Sequence, residues 1–148
     1  MDINQPITTT SPQETARIGQ EFGNCVREKG IRVVCLYGEL GSGKTTFVQG
    51  FAKGLGITMR LLSPTFIIVR RYQMPDNSGF IYHLDLYRME SEKDLLGLGL
   101  PEILADPDSI VVIEWAEKMG SLVPQPRIDV YFEVLEDGKH KIWEKMQS

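Results

Sequence analysis

Residues Gly38 to Thr45, GELGSGKT, fit the pattern G-x-x-x-x-G-K-[ST]. Glycines at this spacing let successive backbone N–H groups turn toward phosphate oxygens, while the lysine reaches the β- and γ-phosphates and the following hydroxyl ligates Mg²⁺. The apolar run 31–37 precedes the pattern, and an amphipathic segment with Phe47 and Phe51 follows it, as when a strand enters such a loop and a helix leaves it. The segment therefore predicts a site for a nucleoside triphosphate; the alternative is a glycine-rich turn before an ordinary helix.

Two carboxylates farther along the chain could supply the metal ligands and the water orientation that hydrolysis requires. Glu114 ends the apolar run 109–113, where a Walker-B carboxylate would hold Mg²⁺ through a water or polarise the attacking water. Asp85 lies near the end of another β-rich run and is the second candidate metal ligand or catalytic base. The alternatives are a capped strand end for Glu114 and a turn-forming aspartate for Asp85.

Three further side chains have both a functional and a structural interpretation. Thr65, within Ser63-Pro64-Thr65-Phe66, could sense the γ-phosphate and Mg²⁺ as switch segments do, or belong to a turn that starts a strand. His83 fits a packed strand histidine better than a general base. Trp115 follows Glu114 and lies either near the nucleotide or in the core.

The element that precedes the first core strand is a predicted helix. Ser11 is its N-cap, Pro12 its first residue and Glu14 its capping-box glutamate, and the helix ends near Gly30. Residues 6–10 before it are predicted as a short edge strand.

The rest of the chain predicts strands and one irregular region. Residues 65–72 and 80–86 should form an antiparallel hairpin, and the C-terminus should form a second one. Residues 91–94 predict another helix start, but the glycines that follow favour an irregular surface element over a long helix, with a turn at Pro101–Leu104. Residues 109–113 predict a strand buried on both faces. The expected fold class is α/β, a P-loop NTPase-like mixed β-sheet flanked by helices, with antiparallel hairpins.

Length and charge narrow the classes of function. A chain of 148 residues predicts a single P-loop ATPase domain over residues 1–148. A net charge of −4 argues against unaided binding to nucleic-acid phosphates, although Arg70-Arg71 and Arg88 could serve a partner or the nucleotide if they are not simply solvated. With no signal-peptide pattern and no membrane-length apolar run, a cytoplasmic protein without membrane contact is expected, in which Cys25 and Cys35 are reduced.

Four blocks occur in order and together resemble the bacterial TsaE (YjeE) family: 38–46, 63–66, Tyr82-His83-Leu84-Asp85-Leu86-Tyr87-Arg88 and 113–115. The resemblance covers roughly residues 6–135, and the block around His83 is the most specific. It implies a small cytoplasmic ATPase needed to make threonylcarbamoyladenosine beside the anticodon of tRNAs that read codons beginning with A. Phe66 and Arg70-Arg71 depart from the family, which often has tyrosine and an acidic residue there.

The resemblance also implies roles for individual residues. Thr45, Glu114 and Asp85 would hold Mg²⁺, and Asp85 and Glu114 would act with Lys44 in hydrolysis. The residues that would bind ATP are Glu39, Leu40, Gly41, Ser42, Gly43, Lys44, Thr45, Thr46, Thr65 and Trp115. The implied partners are the TsaD and TsaB proteins. TsaD would transfer the threonylcarbamoyl group, and this chain would contact tRNA only indirectly, through that complex.

Three other functions remain open. A small-molecule kinase could use the same loop, although 148 residues leave little room for an acceptor pocket and a lid. A GTPase is disfavoured because the chain has no Asn-Lys-x-Asp motif. A nucleotide-gated binding module would need occupancy of the loop but no hydrolysis.

Overall fold

The computed structural model describes residues 5–58 and 69–148. Within these ranges a seven-stranded mixed sheet is flanked by helices, which confirms the predicted fold class. The elements are β1 (Ile7–Thr9), α1 (Pro12–Val26), β2 (Val33–Tyr37), α2 (Lys44–Gly54), β3 (Val69–Gln73), β4 (Phe80–Asp85), α3 (Glu92–Leu96), α4 (Leu100–Ala105), β5 (Ile110–Glu114), β6 (Arg127–Val134) and β7 (His140–Gln147), with 3-10 turns at Pro75–Asn77 and Ala116–Leu122.

The strand order is β1-β7-β6-β2-β5-β4-β3. β2 runs parallel to β5 and β6, and β4 runs parallel to β5, whereas the remaining pairs are antiparallel. The register places Glu114 opposite both Leu36 and Asp85. Because parallel strands end at the same edge of a sheet, the phosphate loop after β2 and the two predicted carboxylates meet there.

The central strands are apolar because both of their faces are covered. Every residue of β5 is buried, which confirms the prediction made from the run 109–113. One face packs on α1 and α2 through a cluster that includes Phe22, Phe47 and Phe51. The other face packs on α3, α4 and the turn Ala116–Leu122 through a cluster that includes Leu95 and Met119.

Helices α1 and α2 approach closely because glycines line their contact. A Cβ atom added at Gly50 would lie 1.8 Å from the carbonyl oxygen of Ala16, and one at Gly19 would lie 2.2 Å from that of Phe47. Gly23 and Gly54 make equivalent approaches at 2.3 Å and 2.2 Å. The two backbones are therefore in contact, and α1 fixes the position of the helix that leaves the phosphate loop.

The predicted start of α1 is confirmed. Ser11 Oγ accepts a hydrogen bond from the N–H of Glu14 at 3.2 Å, and Pro12 is the first helical residue. The Glu14 carboxylate, however, accepts from the N–H and hydroxyl of Thr10, at 2.6 Å and 2.9 Å, one residue before the expected capping-box partner. β1 is the predicted edge strand and pairs with β7.

Both predicted hairpins are present: β3 pairs with β4, and β6 pairs with β7. The start of the first one, at residues 65–68, lies outside the described residues. The turn predicted at Pro101–Leu104 was wrong, because these residues belong to α4. The surface location was also wrong in part, since Leu95 and Leu100 are buried against the sheet. Gly97 is the C-cap of α3, and Gly99, with φ of 76°, is the N-cap of α4. The turn between them lets Leu100, the first residue of α4, pack against the sheet.

Both cysteines are free thiols. Cys35 is buried in β2, and its burial raises the pKa of the thiol to about 12. No helix in the described ranges is long and apolar enough to cross a membrane.

Candidate functional site

The predicted phosphate loop connects β2 to α2 and has the backbone that its glycines permit. Gly41 and Gly43 have φ values of 78° and 102°, in the left-handed region where a side chain would be strained. Gly43 is the N-cap of α2, so the free N–H groups and the positive end of the helix dipole face the loop. The sequence GELGSGKT therefore folds into a cradle for an anion.

A cavity of about 630 Å³ opens above this cradle. Its walls include most of the residues predicted to bind the nucleotide, namely Leu40, Gly41, Ser42, Gly43, Lys44, Thr45, Thr46 and Trp115, and the predicted metal ligands Asp85 and Glu114. Glu39 does not line the cavity and contributes its carbonyl oxygen to Lys44 instead. Thr65 lies outside the described residues. The predicted residues in the cavity walls come from three segments of the chain, which thus share one concave site of a size typical for small ligands.

Lys44 is held in a buried position by its own loop. Its Nζ donates to the carbonyl oxygens of Gly38 and of Glu39, the latter at 3.0 Å, and lies 4.0 Å from the centroid of the Trp115 ring. Desolvation lowers the pKa of Lys44, although Glu114 and other nearby carboxylates act in the opposite direction. A phosphate in the cavity would provide the anionic partner that this ammonium group lacks in the loop.

Glu114 connects the phosphate loop to the sheet. Thr45 Oγ1 donates to Glu114 Oε1 at 3.0 Å, and His83 Nε2 lies 2.5 Å from Glu114 Oε2. His83 is buried, as the strand-histidine interpretation requires, but it makes a polar contact that the sequence analysis did not predict. One sequence feature indicates that His83 lies near the carboxylates: side chains alternate along β4, which puts His83 and Asp85 on the same face of the strand.

Asp85 faces the same region from the end of β4. Its Oδ1 accepts a hydrogen bond from the N–H of Tyr87 at 3.1 Å, which shapes the turn after the strand. Desolvation raises the pKa of Asp85, the Tyr87 hydrogen bond lowers it, and the neighbouring Glu114 charge raises it further. Desolvation and mutual repulsion disfavour two neighbouring negative charges here. A bound cation would relieve this repulsion, so the pair fits a cation-binding site.

The residues present fit Mg²⁺ together with a nucleotide. A hydroxyl at Thr45 and carboxylates at Glu114 and Asp85 are the oxygen donors that this ion prefers. In the described part of the chain, no group of three His, Cys, Asp or Glu side chains forms a metal site by itself. The ion would therefore need phosphate oxygens as further ligands, as is usual for Mg²⁺. Ser42 supports the fit to a polar ligand, because its buried Oγ has no hydrogen-bond partner among the described residues.

Trp115 stands at the wall of the cavity. It adopts φ of 59°, which is uncommon for a bulky side chain, and its ring centroid lies 5.0 Å from that of Tyr87. The ring also packs against the cluster on the α3–α4 face. Trp115 therefore lines the cavity and contacts the core at the same time, so both predicted locations apply.

Several cavity residues were missed from the sequence. Tyr87 comes from the turn after β4, and the others are Thr9, Thr10, Ser11, Pro12, Thr15, Gly138 and His140. Arg88, which the sequence analysis offered to a partner or the nucleotide, lines the cavity beside Tyr87. β1 pairs with β7, with Thr9 opposite His140, and this pairing brings the two ends of the chain to the phosphate loop. No local motif marks the residues from the two ends of the chain, since their position depends on the pairing of β1 with β7.

The profile of one protein family, described as "Threonylcarbamoyl adenosine biosynthesis protein TsaE", matches residues 9–142. The chain belongs to the TsaE family. Curated TsaE relatives include that of Treponema pallidum, 38% identical over 89% of this chain and 93% of its own length. The relative of Bacillus subtilis is 38% identical over 90% of this chain and 80% of its own length. Both are named tRNA threonylcarbamoyladenosine biosynthesis protein TsaE.

Among solved structures, the chain is similar to the crystal structure of YdiB from Bacillus subtilis. The TM-score is 0.74 at 29% sequence identity, and the similarity covers 97% of this chain and 86% of YdiB. The family profile and the curated relatives confirm the resemblance to the TsaE family, and the solved structure confirms the fold class.

Proposed function

We propose that this TsaE-family chain is an Mg²⁺-dependent ATPase subunit of the machinery that makes threonylcarbamoyladenosine in tRNA. In this proposal the chain acts in the cytoplasm together with the TsaD and TsaB proteins. It does not transfer the threonylcarbamoyl group itself and contacts tRNA only indirectly, through that complex. The observation that carries the proposal is the single cavity in which the phosphate loop faces Asp85 and Glu114. The two carboxylates beside the loop would supply the metal ligand and the water-orienting group that hydrolysis requires.

The triphosphate would lie across the N-terminus of α2. Backbone N–H groups of the loop and the Ser42 hydroxyl would donate to its oxygens, and Lys44 would exchange its carbonyl partners for the β- and γ-phosphates. Arg88 lines the same cavity and would add a second positive charge. A nucleoside triphosphate carries about four negative charges, more than one lysine and a helix dipole neutralise.

Hydrolysis requires a positioned water and a group to accept its proton. Asp85 would orient the water that adds to the γ-phosphorus as the bond to the β,γ-bridging oxygen breaks. Thr45 and Glu114 would hold Mg²⁺, which when bound neutralises charge on the phosphate oxygens. Trp115 and Tyr87 would shield this end of the cavity from bulk water.

The base would occupy the end of the cavity formed by the β1–α1 connection and the start of β7. Polar groups from Thr10, Ser11 and His140 line this region, together with Pro12. Adenine is proposed as the base because the resemblance to the TsaE family implies an ATPase. The chain also has no Asn-Lys-x-Asp motif, which GTPases use to recognise guanine.

The first experiment compares hydrolysis by the purified wild-type chain, Lys44→Ala and Lys53→Ala. Lys53 is an exposed lysine on the same helix and is a matched control for the loss of charge. We expect Lys44→Ala to lose at least 100-fold in hydrolysis and Lys53→Ala to keep wild-type rates. Equal rates for the two variants would refute the mechanism, and a phosphorylated metabolite in place of free phosphate would identify a kinase.

The partner proposal needs a separate measurement. Hydrolysis and tRNA modification are scored in the same tubes, with and without TsaD and TsaB. We expect TsaD and TsaB to raise the rate of ATP hydrolysis. We also expect tRNA modification to require Lys44. If Asp85→Asn still binds nucleotide and supports full modification, occupancy alone is sufficient and the chain is a nucleotide-gated module.

A further inference from the structure

We infer that His83 is a positioning residue for the metal site: its Nε2–H holds one oxygen of Glu114, so that the other oxygen stays directed at Thr45. The inference rests on the proposed function, because it concerns the same Mg²⁺–nucleotide site. It assigns His83 a role one contact away from the metal ligands, where it touches neither metal nor nucleotide.

The geometry gives the direction of this hydrogen bond. His83 Nε2 and Glu114 Oε2 are 2.5 Å apart, and both side chains are almost wholly buried, with 1% and 3% exposure. A carboxylate can only accept, so the imidazole is the donor. With Oε2 held in this way, Oε1 is the oxygen that accepts from Thr45 at 3.0 Å.

The contact with Glu114 is also the polar reason for a histidine at this position. His83 Nδ1 is buried and has no hydrogen-bond partner among the residues that the structure describes. The two flanking positions on its face of β4 are Ile81 and Asp85. Across the strands His83 pairs with Val112 of β5 and with Arg70 of β3. An apolar side chain would fill this space without leaving a buried nitrogen unpaired, so packing alone does not explain the residue.

A fixed carboxylate should matter most when the metal arrives. Without the imidazole, Glu114 can rotate within its pocket and must be reoriented before it binds the ion or a water on the ion. Partners that orient metal ligands typically change metal affinity by about 10- to 100-fold when removed. Nucleotide affinity without metal depends instead on the loop N–H groups and Lys44, which His83 does not contact.

The test compares His83→Gln with His83→Asn. Both substitutions are polar and similar in size, but the glutamine amide extends to the position of Nε2, whereas the asparagine amide matches Nδ1 and stops short of Glu114. Binding of a non-hydrolysable ATP analogue is measured by calorimetry in EDTA and over a series of Mg²⁺ concentrations. Thermal unfolding of each variant is recorded alongside.

We expect both variants to bind the analogue in EDTA within about twofold of wild type. His83→Asn should need about 10- to 100-fold more Mg²⁺ for half-maximal binding, and His83→Gln should recover most of this loss. In a double-mutant cycle, His83→Asn should add no further loss in a Glu114→Gln background, because it acts through that carboxylate.

Two outcomes would overturn the inference while leaving the ATPase proposal intact. One is a wild-type Mg²⁺ requirement in His83→Asn; the other is a loss that multiplies with that of Glu114→Gln. A fall in EDTA affinity and in Tm that is equal for both variants would assign His83 a purely structural role and also overturn it. If the wild-type chain shows no Mg²⁺-dependent binding at all, the proposed function fails together with this inference.

Discussion

Burial shifts the pKa values of Lys44 and Asp85 in opposite directions, but it destabilises the charged form of both side chains. Desolvation lowers the pKa of Lys44 and raises that of Asp85, so in each case the charged form is penalised. Both residues line the cavity, where a triphosphate and its cation would supply the missing counter-charges. The site therefore carries a cost in stability that ligand binding would offset, a common property of functional sites.

This cost can be measured by replacing Asp85 with asparagine. Asparagine keeps an oxygen to accept from the N–H of Tyr87 but removes the buried charge. At neutral pH and without nucleotide, we expect Asp85→Asn to raise Tm by about 2–4 °C, the shift that about 1 kcal/mol produces in a domain of this size. Hydrolysis should fall by about 10²- to 10⁴-fold, as when a general base is lost.

The pH dependence of this Tm difference follows from the sign of the shift. A raised pKa means that the folded state binds the Asp85 proton more tightly than the unfolded state, so folding is penalised where the aspartate is charged. The gain in Asp85→Asn should be complete above the folded pKa and disappear as the pH falls below the unfolded value near 3.9. Asp137→Asn is the contrast, because hydrogen bonds from Lys139 lower the pKa of Asp137 and its replacement should not raise Tm. A gain for Asp85→Asn that persists at low pH would contradict the electrostatic explanation.

Among the elements, α1 and α2 depend on backbone contact more than the amphipathic pattern alone indicates. Phe47 and Phe51 identify the buried side of α2, but Gly50 between them sets how near α1 can come. Helix propensity alone favours alanine over glycine at this position by about 1 kcal/mol. Packing opposes it, because a Cβ would lie 1.8 Å from a backbone oxygen that cannot move without shifting α1.

We therefore expect Gly50→Ala to destabilise the protein, by about 1–3 kcal/mol net, since overpacking outweighs propensity here. Gly97→Ala is the matched control: Gly97 is exposed, has φ of −68°, and its added Cβ would meet its nearest neighbour, the carbonyl oxygen of Asp94, at an ordinary 3.5 Å. Chemical denaturation of both variants checks the prediction. An unchanged or higher midpoint for Gly50→Ala would show that the helices can separate at little cost.

The features that sequence predicted well are those encoded by neighbouring residues. GELGSGKT, the N-cap at Ser11 and the apolar run before Glu114 each need only local spacing, and the structure bears out the elements they predict. The helix α4 was missed because Gly97, Gly99 and Pro101 are turn formers locally, while burial of Leu100 against the sheet overrides that tendency. The alternation in β4 places His83 on the same face as Asp85, but its contact with Glu114 could not be predicted, since it joins two strands and residues 31 apart in the sequence.

At the level of the whole molecule, the cavity joins the two ends of the chain. β1 contributes Thr9 and β7 contributes His140, and His140 Nδ1 would lie only 3.0 Å from a Cβ on Gly43 of the phosphate loop. The end of the cavity proposed to hold the base therefore forms only when the edge strand β1 is paired with β7. β1 is three residues long and, among the described strands, pairs only with β7, so it is among the elements expected to open most easily.

Nucleotide binding should stabilise this edge of the sheet along with the phosphate loop. A ligand at 100 times its Kd adds about 2.7 kcal/mol to the free energy of unfolding. With ADP and Mg²⁺ at that excess, we expect Tm to rise by about 5–10 °C. Backbone hydrogen exchange should slow in β1 and at the start of β7 as well as in residues 38–46. The α3–α4 region does not line the cavity and is the internal control, in which local exchange should change little. Protection confined to residues 38–46 would mean that the nucleotide occupies the cradle without contacting β1 and β7, and the proposed position of the base would then be wrong.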